Sequence, residues 1–155
     1  MPQYTVITGD VIKSRNYNNI NEILNERLKN IKYPENTLVP FKISRGDEIQ
    51  AVFKGHMSFP KFIRQIRYKL LNLDIRFGIG FGNIDEKSDE ISSWSMNGPA
   101  FYYAREALES IEKDNIYKTR FKSDNQIDEA INTILYLIDT FQSDWTDSQL
   151  SLIHI

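Results

Sequence analysis

Three acidic residues stand where the folding of a sheet could bring carboxylates together. Asp10 follows the strand-like run "YTVITG", and Asp47 and Glu48 lie in the short polar segment 45–48 between two further strand-like runs. Carboxylates that meet at a strand edge repel one another unless a cation neutralises them, and hard oxygen ligands suit Mg²⁺. Asp10, Asp47 and Glu48 are therefore candidate ligands of a magnesium ion.

The residues after Asp10 could bind phosphate. Lys13, Ser14 and Arg15 offer positive side chains and backbone N–H groups that could receive phosphate oxygens. A structural interpretation stands beside this one, because an Asp after a strand or after a Gly commonly hydrogen-bonds its own backbone in a turn. The residues alone leave both interpretations open.

Apolar periodicity predicts the elements that must position these groups. Alternating and β-branched residues predict strands over 3–9, 37–44, 48–54, 75–82 and 117–122. Apolar residues three or four apart predict helices over about 19–31, 58–71, 99–111 and 126–141, with a loop over 85–97. Ser123 and Gln126 form a capping box before the last of these helices, and a second capping box, Thr146 and Gln149, predicts another helix start.

The order β-α-β-β-α-β, followed by α-β-α, predicts an α+β fold. Its simplest form is a ferredoxin-like antiparallel sheet with helices on one face and strand one between strands three and four. Strand three then runs antiparallel to strand one. The end of strand one, at Asp10, would meet the start of strand three, at Asp47.

Two other patterns favour structure over chemistry. The glycines of "GIGFG" lack the spacing and the following helix of a dinucleotide-binding fingerprint, and they could let a helix approach the sheet closely. Basic residues of the second helix indicate a solvated face rather than a nucleic-acid surface; they are Lys61, Arg64, Arg67 and Lys69.

Composition limits the classes of function. The 155 residues are 41% hydrophobic and have a net charge of −2, which fits one globular body without an overall attraction to nucleic acid or anionic membranes. The absence of cysteine excludes disulfides and thiolate metal sites.

We expect a soluble, cytoplasmic protein with one domain over 1–141, and a helical segment that begins at 142–155 and continues beyond residue 155.

Several blocks of the sequence together resemble the SatD family of bacterial proteins: "YTVITGDVIKSR", "FKISRGDEIQAVF", "IRFGIGFGNI", "NGPAFYYAREALE" and "WTDSQ". The same blocks look like the palm domains of class III nucleotidyl cyclases and GGDEF proteins. That likeness implies two Mg²⁺ ions on Asp10 and Asp47, a nucleotide ligand and a homodimer. The SatD likeness implies a DNA-binding segment beyond residue 155 and a regulatory role.

The departures from the cyclase pattern weaken the catalytic prediction. Tyr102 and Glu106 stand where that pattern has Asn and Arg, and Ile43 stands where it has a base-reading Lys. Arg105 is one position from the expected Arg, a rotation of about 100° on a helix. The sequence thus favours a nucleotide sensor. The alternative is an active cyclase, in which Arg76 or Arg105 would face the phosphate. A scaffold with a vestigial site is the third possibility.

Overall fold

Five strands and four α-helices follow the predicted order. The computed structural model describes residues 2–44, 46–85, 96–145, 148–149 and 152. The strands are β1 (Tyr4–Val11), β2 (Thr37–Ile43), β3 (Glu48–Lys54), β4 (Ile75–Gly82) and β5 (Thr119–Lys122). The helices are α1 (Ile20–Leu28), α2 (Phe59–Lys69), α3 (Pro99–Lys113) and α4 (Asp128–Ser143), and a 3-10 turn (Ser14–Asn16) follows β1. Most of the predicted loop, residues 86–95, and Thr146 of the second capping box lie outside the described residues.

The sheet has the strand order β2-β3-β1-β4-β5. β1 pairs antiparallel with both β3 and β4, so strand one lies between strands three and four as the sequence predicts. β5 pairs parallel with β4, which makes the sheet mixed, and the prediction of a wholly antiparallel sheet is wrong at this edge. The reason is the connection: α3 crosses between β4 and β5, and a helical crossover returns the chain in the same direction.

Helices cover both faces of the sheet. Leu24 of α1 and Ile66 of α2 are fully buried in one core cluster, together with Ile7 of β1. Ala104 of α3 packs into a second cluster with Val6, the neighbour of Ile7 on the strand. Because neighbouring residues of a strand point to opposite faces, the prediction of helices on one face holds for α1 and α2 and is wrong for α3.

Two glycines of β4 bring α3 into backbone contact with the sheet. A Cβ atom placed on Gly78 would clash with the carbonyl oxygen of Ala104, and one on Gly80 would clash with the carbonyl oxygen of Ala100. Any side chain at these positions would push the helix outwards. The close approach suggested by "GIGFG" is therefore confirmed.

Arg67 of α2 belongs to the interior rather than to the exposed basic face. The residue is partly exposed overall, but its guanidinium group is buried and donates hydrogen bonds to the carbonyl oxygens of Ile75 (2.6 Å) and Lys118 (3.1 Å) and to Thr119 Oγ1 (2.8 Å). It also lies 4.9 Å from the ring centre of Phe77. The prediction of a solvated face is wrong for this residue, because the helix turns it towards the end of β4.

Across the described ranges, none of the helices has the length and apolar character needed to cross a bilayer.

Candidate functional site

The register of the sheet brings residues of three strands together at the end of β1. Asp10 is paired with Glu48 of β3 on one side and with Arg76 of β4 on the other. Directly paired residues of neighbouring strands point to the same face, which here is the face covered by α3. The structure thus brings together two of the predicted metal ligands, Asp10 and Glu48, and one predicted phosphate contact, Arg76.

Arg76 holds Asp10 with two parallel hydrogen bonds. Its Nε donates to Oδ1 and its Nη2 to Oδ2, each at 2.9 Å. The side chains are largely buried, with 10% of Asp10 and 19% of Arg76 exposed. Burial alone would lower the pKa of Arg76, but the hydrogen bonds and charge of Asp10 raise it, and the charges of Glu112 and Asp47 add to the increase.

A second pair of the same kind joins α3 to β3. Arg105 donates from Nη1 to Oε1 of Glu48 at 3.0 Å and from Nη2 to Oε2 at 3.1 Å. These hydrogen bonds raise the pKa of Arg105 against the opposite effect of partial burial, and the charges of Glu109 and Glu112 contribute further. This pair is more open to solvent than the first, with 40% of Arg105 and 27% of Glu48 exposed.

The site residues of α3 form one stripe of the helix. Arg105, Glu109 and Glu112 are spaced four and three residues apart, so they share a face. Glu112 Oε1 lies 3.8 Å from Nη2 of Arg76. The stripe therefore runs over the charged ends of the strands. This spacing was visible in the sequence, yet sequence reasoning missed Glu109 and Glu112 because α3 was not expected on this face.

Asp47 lies one residue before β3, at the same end of the sheet. Gly46 before it has φ = +94°, a conformation that favours glycine, so this turn needs a glycine there. Asp47 is partly exposed and close enough to Arg76 for its charge to affect that side chain. Glu48, rather than Asp47, is the strand residue that faces Asp10.

The charges around the two arginines do not balance. Five carboxylates act on Arg76 and Arg105: those of Asp10, Asp47, Glu48, Glu109 and Glu112. These five carboxylates outnumber the two guanidinium groups by three, and Lys13 and Arg15, at the same end of the sheet, offset part of that excess of negative charge. Such an excess attracts cations to this end of the sheet.

A metal ion at this site would have to compete with the arginines. Both oxygens of Asp10 accept hydrogen bonds from Arg76, and both oxygens of Glu48 accept them from Arg105. Within the described parts of the chain, no three His, Asp or Glu side chains are grouped so that they could hold a metal ion. The carboxylate chemistry fits Mg²⁺, but only after the guanidinium groups have moved.

The predicted phosphate-binding residues lie just beyond this site. Lys13 begins the 3-10 turn in a left-handed conformation, with φ = 55°, and Ser14 and Arg15 are part of the turn. The backbone N–H of Ile12 donates to the carbonyl oxygen of Asp74 at 2.7 Å, which continues the pairing of β1 beyond its last residue. Lys13, Ser14 and Arg15 are thus at the same end of the sheet as Asp10, and phosphate binding there stays a prediction.

The positions that differ from the cyclase pattern occupy three different surroundings. Tyr102 is 55% exposed, and Glu106 forms an ion pair with Lys122 of β5. Arg105, one residue earlier, contacts Glu48 and so reaches the candidate site in spite of its displacement. On β2, Lys42 rather than Ile43 pairs with Gln50 and shares the face of the site.

The comparison with protein-family models identifies the family of this chain. A search of curated proteins returned no match to the chain. The model of the SatD family matches residues 4–155, which is nearly the whole chain and includes every residue of the candidate site. The chain therefore belongs to the SatD family.

Proposed function

We propose that this protein is a regulatory sensor that binds a nucleotide together with Mg²⁺ at the end of β1 and does not turn it over. The observation that carries the proposal is the pairing of Asp10 with both Glu48 and Arg76 under Arg105. It brings two carboxylates and two guanidinium groups together on one face of the sheet, which supports binding of a cation and of phosphates there. The cyclase-like, ferredoxin-type topology belongs to the same proposal, and the pairing of the first four strands supports it.

Binding would exchange partners rather than fill an open site. Mg²⁺ would take oxygens of Asp10, Asp47 and Glu48, and the phosphates would take the guanidinium groups of Arg76 and Arg105, with Lys13 and Arg15 at the edge. Each ion pair is replaced by interactions of the same charge type, so the cost of separating the pairs is offset. The local excess of negative charge favours binding of Mg²⁺, and the nucleotide binds with it because its phosphates coordinate the same ion.

Two departures from the cyclase pattern favour sensing over catalysis. The position at which the cyclase pattern has Arg holds Glu106, which contacts Lys122 on the other side of α3 from Glu48. Ile43, at the position of the base-reading Lys, pairs with Ile49 on the opposite face of the sheet. The second candidate is an active Mg²⁺-dependent nucleotidyl cyclase, and the contact of Arg105 with Glu48 is the observation that favours it.

Calorimetry with ATP and with GTP, each with and without Mg²⁺ or Mn²⁺, tests the proposal. We expect metal-dependent binding that Asp10→Asn and Asp47→Asn each weaken at least tenfold, because each removes a charged ligand. Asp124→Asn, an exposed acid in the β5–α4 connection, is the matched control and should bind as the unchanged protein does. The lack of any metal-dependent component of binding, or equal weakening of that component by all three variants, would contradict the proposal.

Product analysis of the same mixtures separates the alternatives. Bound nucleotide recovered unchanged after hours supports a sensor. Release of pyrophosphate and a cyclic nucleotide, abolished by Asp10→Asn, would establish the cyclase instead. No binding of either nucleotide with either metal would leave a scaffold whose acid–arginine pairs are purely structural.

The proposal includes pairing of two copies. Four apolar side chains of α4 and its N-terminal end are about half or more exposed: Ile127, Ile134, Leu137 and Phe141. Light scattering over a range of concentrations should give twice the mass of one chain, and Ile134→Lys should return it to one chain mass. Ile116→Lys, at an apolar residue 60% exposed outside α4, is the control and should leave the mass unchanged. One chain mass at every concentration would contradict this part.

A further inference from the structure

A second charged region lies at the other end of the sheet. A cleft of about 1050 Å³ is bounded by the α1–β2 connection, the β3–α2 connection and α2. We call it the basic cleft, after the basic side chains that line it: Lys32, Lys54, His56, Lys61, Arg64 and Lys69. Along β1, the residue paired with Lys54 is Tyr4, six positions before Asp10. At about 3.3 Å per residue, the two regions are about 20 Å apart.

The charge of the cleft has one sign. Among the described residues that line it, none is Asp or Glu, although the chain as a whole has two more acidic than basic residues. Glu35 is exposed and lies in the α1–β2 connection, but it does not line the cleft. A concave surface with cations on both walls concentrates the positive potential and attracts anions.

The walls of the cleft are held in place by hydrogen bonds. Asn36 Nδ2 donates to the carbonyl oxygens of Lys54 (2.7 Å) and His56 (3.2 Å), and Thr5 Oγ1 donates to that of Gly55 (2.7 Å). The His56 ring stacks on Phe81, with ring centres 4.0 Å apart. A wall fixed in this way loses little conformational freedom when a ligand binds.

The lining combines these cations with aromatic surface. Tyr33 is a partly exposed aromatic residue of the lining; its ring packs on the buried Phe62, with ring centres 5.9 Å apart, and its hydroxyl accepts a hydrogen bond from the backbone N–H of Phe41. Arg64 carries a buried Nε that has no hydrogen-bond partner within the described chain. The cleft therefore offers polar donors and an apolar surface side by side.

We propose that the basic cleft binds a small molecule that carries two or more phosphate groups and an aromatic or apolar part. Several basic groups match several negative charges, and the exposed part of Tyr33 matches an uncharged ring. The cleft volume is at the upper end of the range for small-molecule sites. The net negative charge of the chain disfavours a nucleic acid, whose long backbone would also meet the acidic surface outside the cleft. This site is independent of the proposed function, because it needs no metal.

Titration calorimetry with tripolyphosphate and with ATP, both in EDTA, tests the inference. EDTA removes the Mg²⁺ on which binding at Asp10 depends, so failure here and failure of the proposed function are distinguishable. We expect both probes to bind, ATP more tightly, and 300 mM salt to weaken both relative to 50 mM. Lys54→Glu and Lys61→Glu, exposed residues on opposite walls, should each weaken binding about five- to thirtyfold.

Lys113→Glu is the matched control, since Lys113 is also exposed and lies outside the cleft, in the last turn of α3. It should change the affinity less than twofold. Binding that Lys113→Glu weakens as much as Lys61→Glu does would overturn the inference, as would no binding of either probe. Binding of a fluorescein-labelled 12-nucleotide DNA strand in the absence of binding of both small probes would also overturn it, and would identify a nucleic-acid surface instead.

Discussion

Arginine and carboxylate groups meet in two regions of this protein, and the regions differ in what surrounds the guanidinium. Arg67 is buried among backbone carbonyls and a threonine hydroxyl, and Asp139 of α4 acts on it only through its charge. Arg76 is bound instead by both oxygens of one carboxylate at the edge of the sheet. The partners of Arg67 cannot leave without unfolding the chain. The partner of Arg76 is a side chain, which can exchange.

The comparison separates a structural arginine from a candidate binding group. Burial lowers the pKa of Arg67 and raises the pKa of Asp139, the acid whose charge acts on Arg67, because the interior disfavours both charged forms. Arg76 and Arg105 have raised pKa values, since their carboxylates outweigh partial burial. Burying the charges of Arg67 and Asp139 thus costs free energy, which packing offsets. At the end of the sheet, the charges of Arg105 and Glu48 stay more open to solvent.

The largest effect should come from removing the interior arginine. Arg67→Met should lower the free energy of unfolding by about 3–5 kcal/mol, because it leaves Asp139 and two carbonyl groups without their buried partner. Urea denaturation at pH 7 measures the change. Lys61→Met on the exposed side of the same helix is the control and should shift stability by about 0.5 kcal/mol or less. Equal effects of the two substitutions would mean that the buried contacts of Arg67 do not stabilise the fold.

The better buried of the two edge pairs should contribute less. Asp10→Asn should cost about 1–3 kcal/mol, because Arg76 keeps its charge but loses a charged acceptor. The double variant Asp10→Asn with Arg76→Met should be less destabilised than the sum of the single changes, since the two residues are in direct contact. Denaturation of all three variants measures the coupling. Simple additivity would mean that the pair contributes nothing as a pair.

The raised pKa of Asp139 should make its contribution to stability depend on pH. The unfolded chain ionises Asp139 near its ordinary pKa of 3.8, whereas the folded chain keeps the proton to a higher pH because burial raises that pKa. Ionisation therefore favours the unfolded state, and the protein loses stability as the pH rises between the two values. Asp139→Asn cannot ionise. The stability of the unchanged protein minus that of the variant should fall as the pH rises above 3.8 and then level off; a difference that rises with pH would contradict the assignment.

The exposed pair should contribute least to stability. Glu48→Gln should cost about 1 kcal/mol or less, because solvent screens a pair of which Arg105 is 40% exposed. Its effect on stability should vanish at 1 M salt, whereas that of Arg67→Met should persist. Thermal unfolding at low and high salt measures both. A large, salt-independent loss for Glu48→Gln would place this pair with the interior region.

The sequence predicted the element order, the central place of strand one and the approach of Asp10 to the start of strand three. It did not predict that Glu48 faces Asp10, because a shift of one residue in register decides which acid points to which face. In the structure the backbone N–H of Ser44 donates to the carbonyl oxygen of Glu48, so Asp47 lies inside the turn and Glu48 is the first residue of β3.

The acid–arginine pairs could not be predicted for a related reason. Arg105 reaches Glu48 only because α3 lies on the face opposite to α1 and α2, which is a consequence of the crossover to β5. No local pattern in the segment around Arg105 contains that information. Arg67 shows the same limit in reverse: its spacing on α2 matches the exposed basic residues, and only tertiary packing turns it inwards.

The contact of α3 with Gly78 and Gly80 limits how this part of the protein can respond to a ligand. Backbone already touches backbone there, so the helix cannot move closer to the sheet when a ligand pulls on Arg105. The motions left to it are a slide along its axis and a tilt as a rigid rod. Either one would displace the opposite flank of the helix, where Glu106 and Lys113 line a groove shared with α4. Because Gly78 and Gly80 hold the middle of α3 at a fixed distance from the sheet, a displacement of Arg105 would also displace Glu106 and Lys113 in the groove shared with α4.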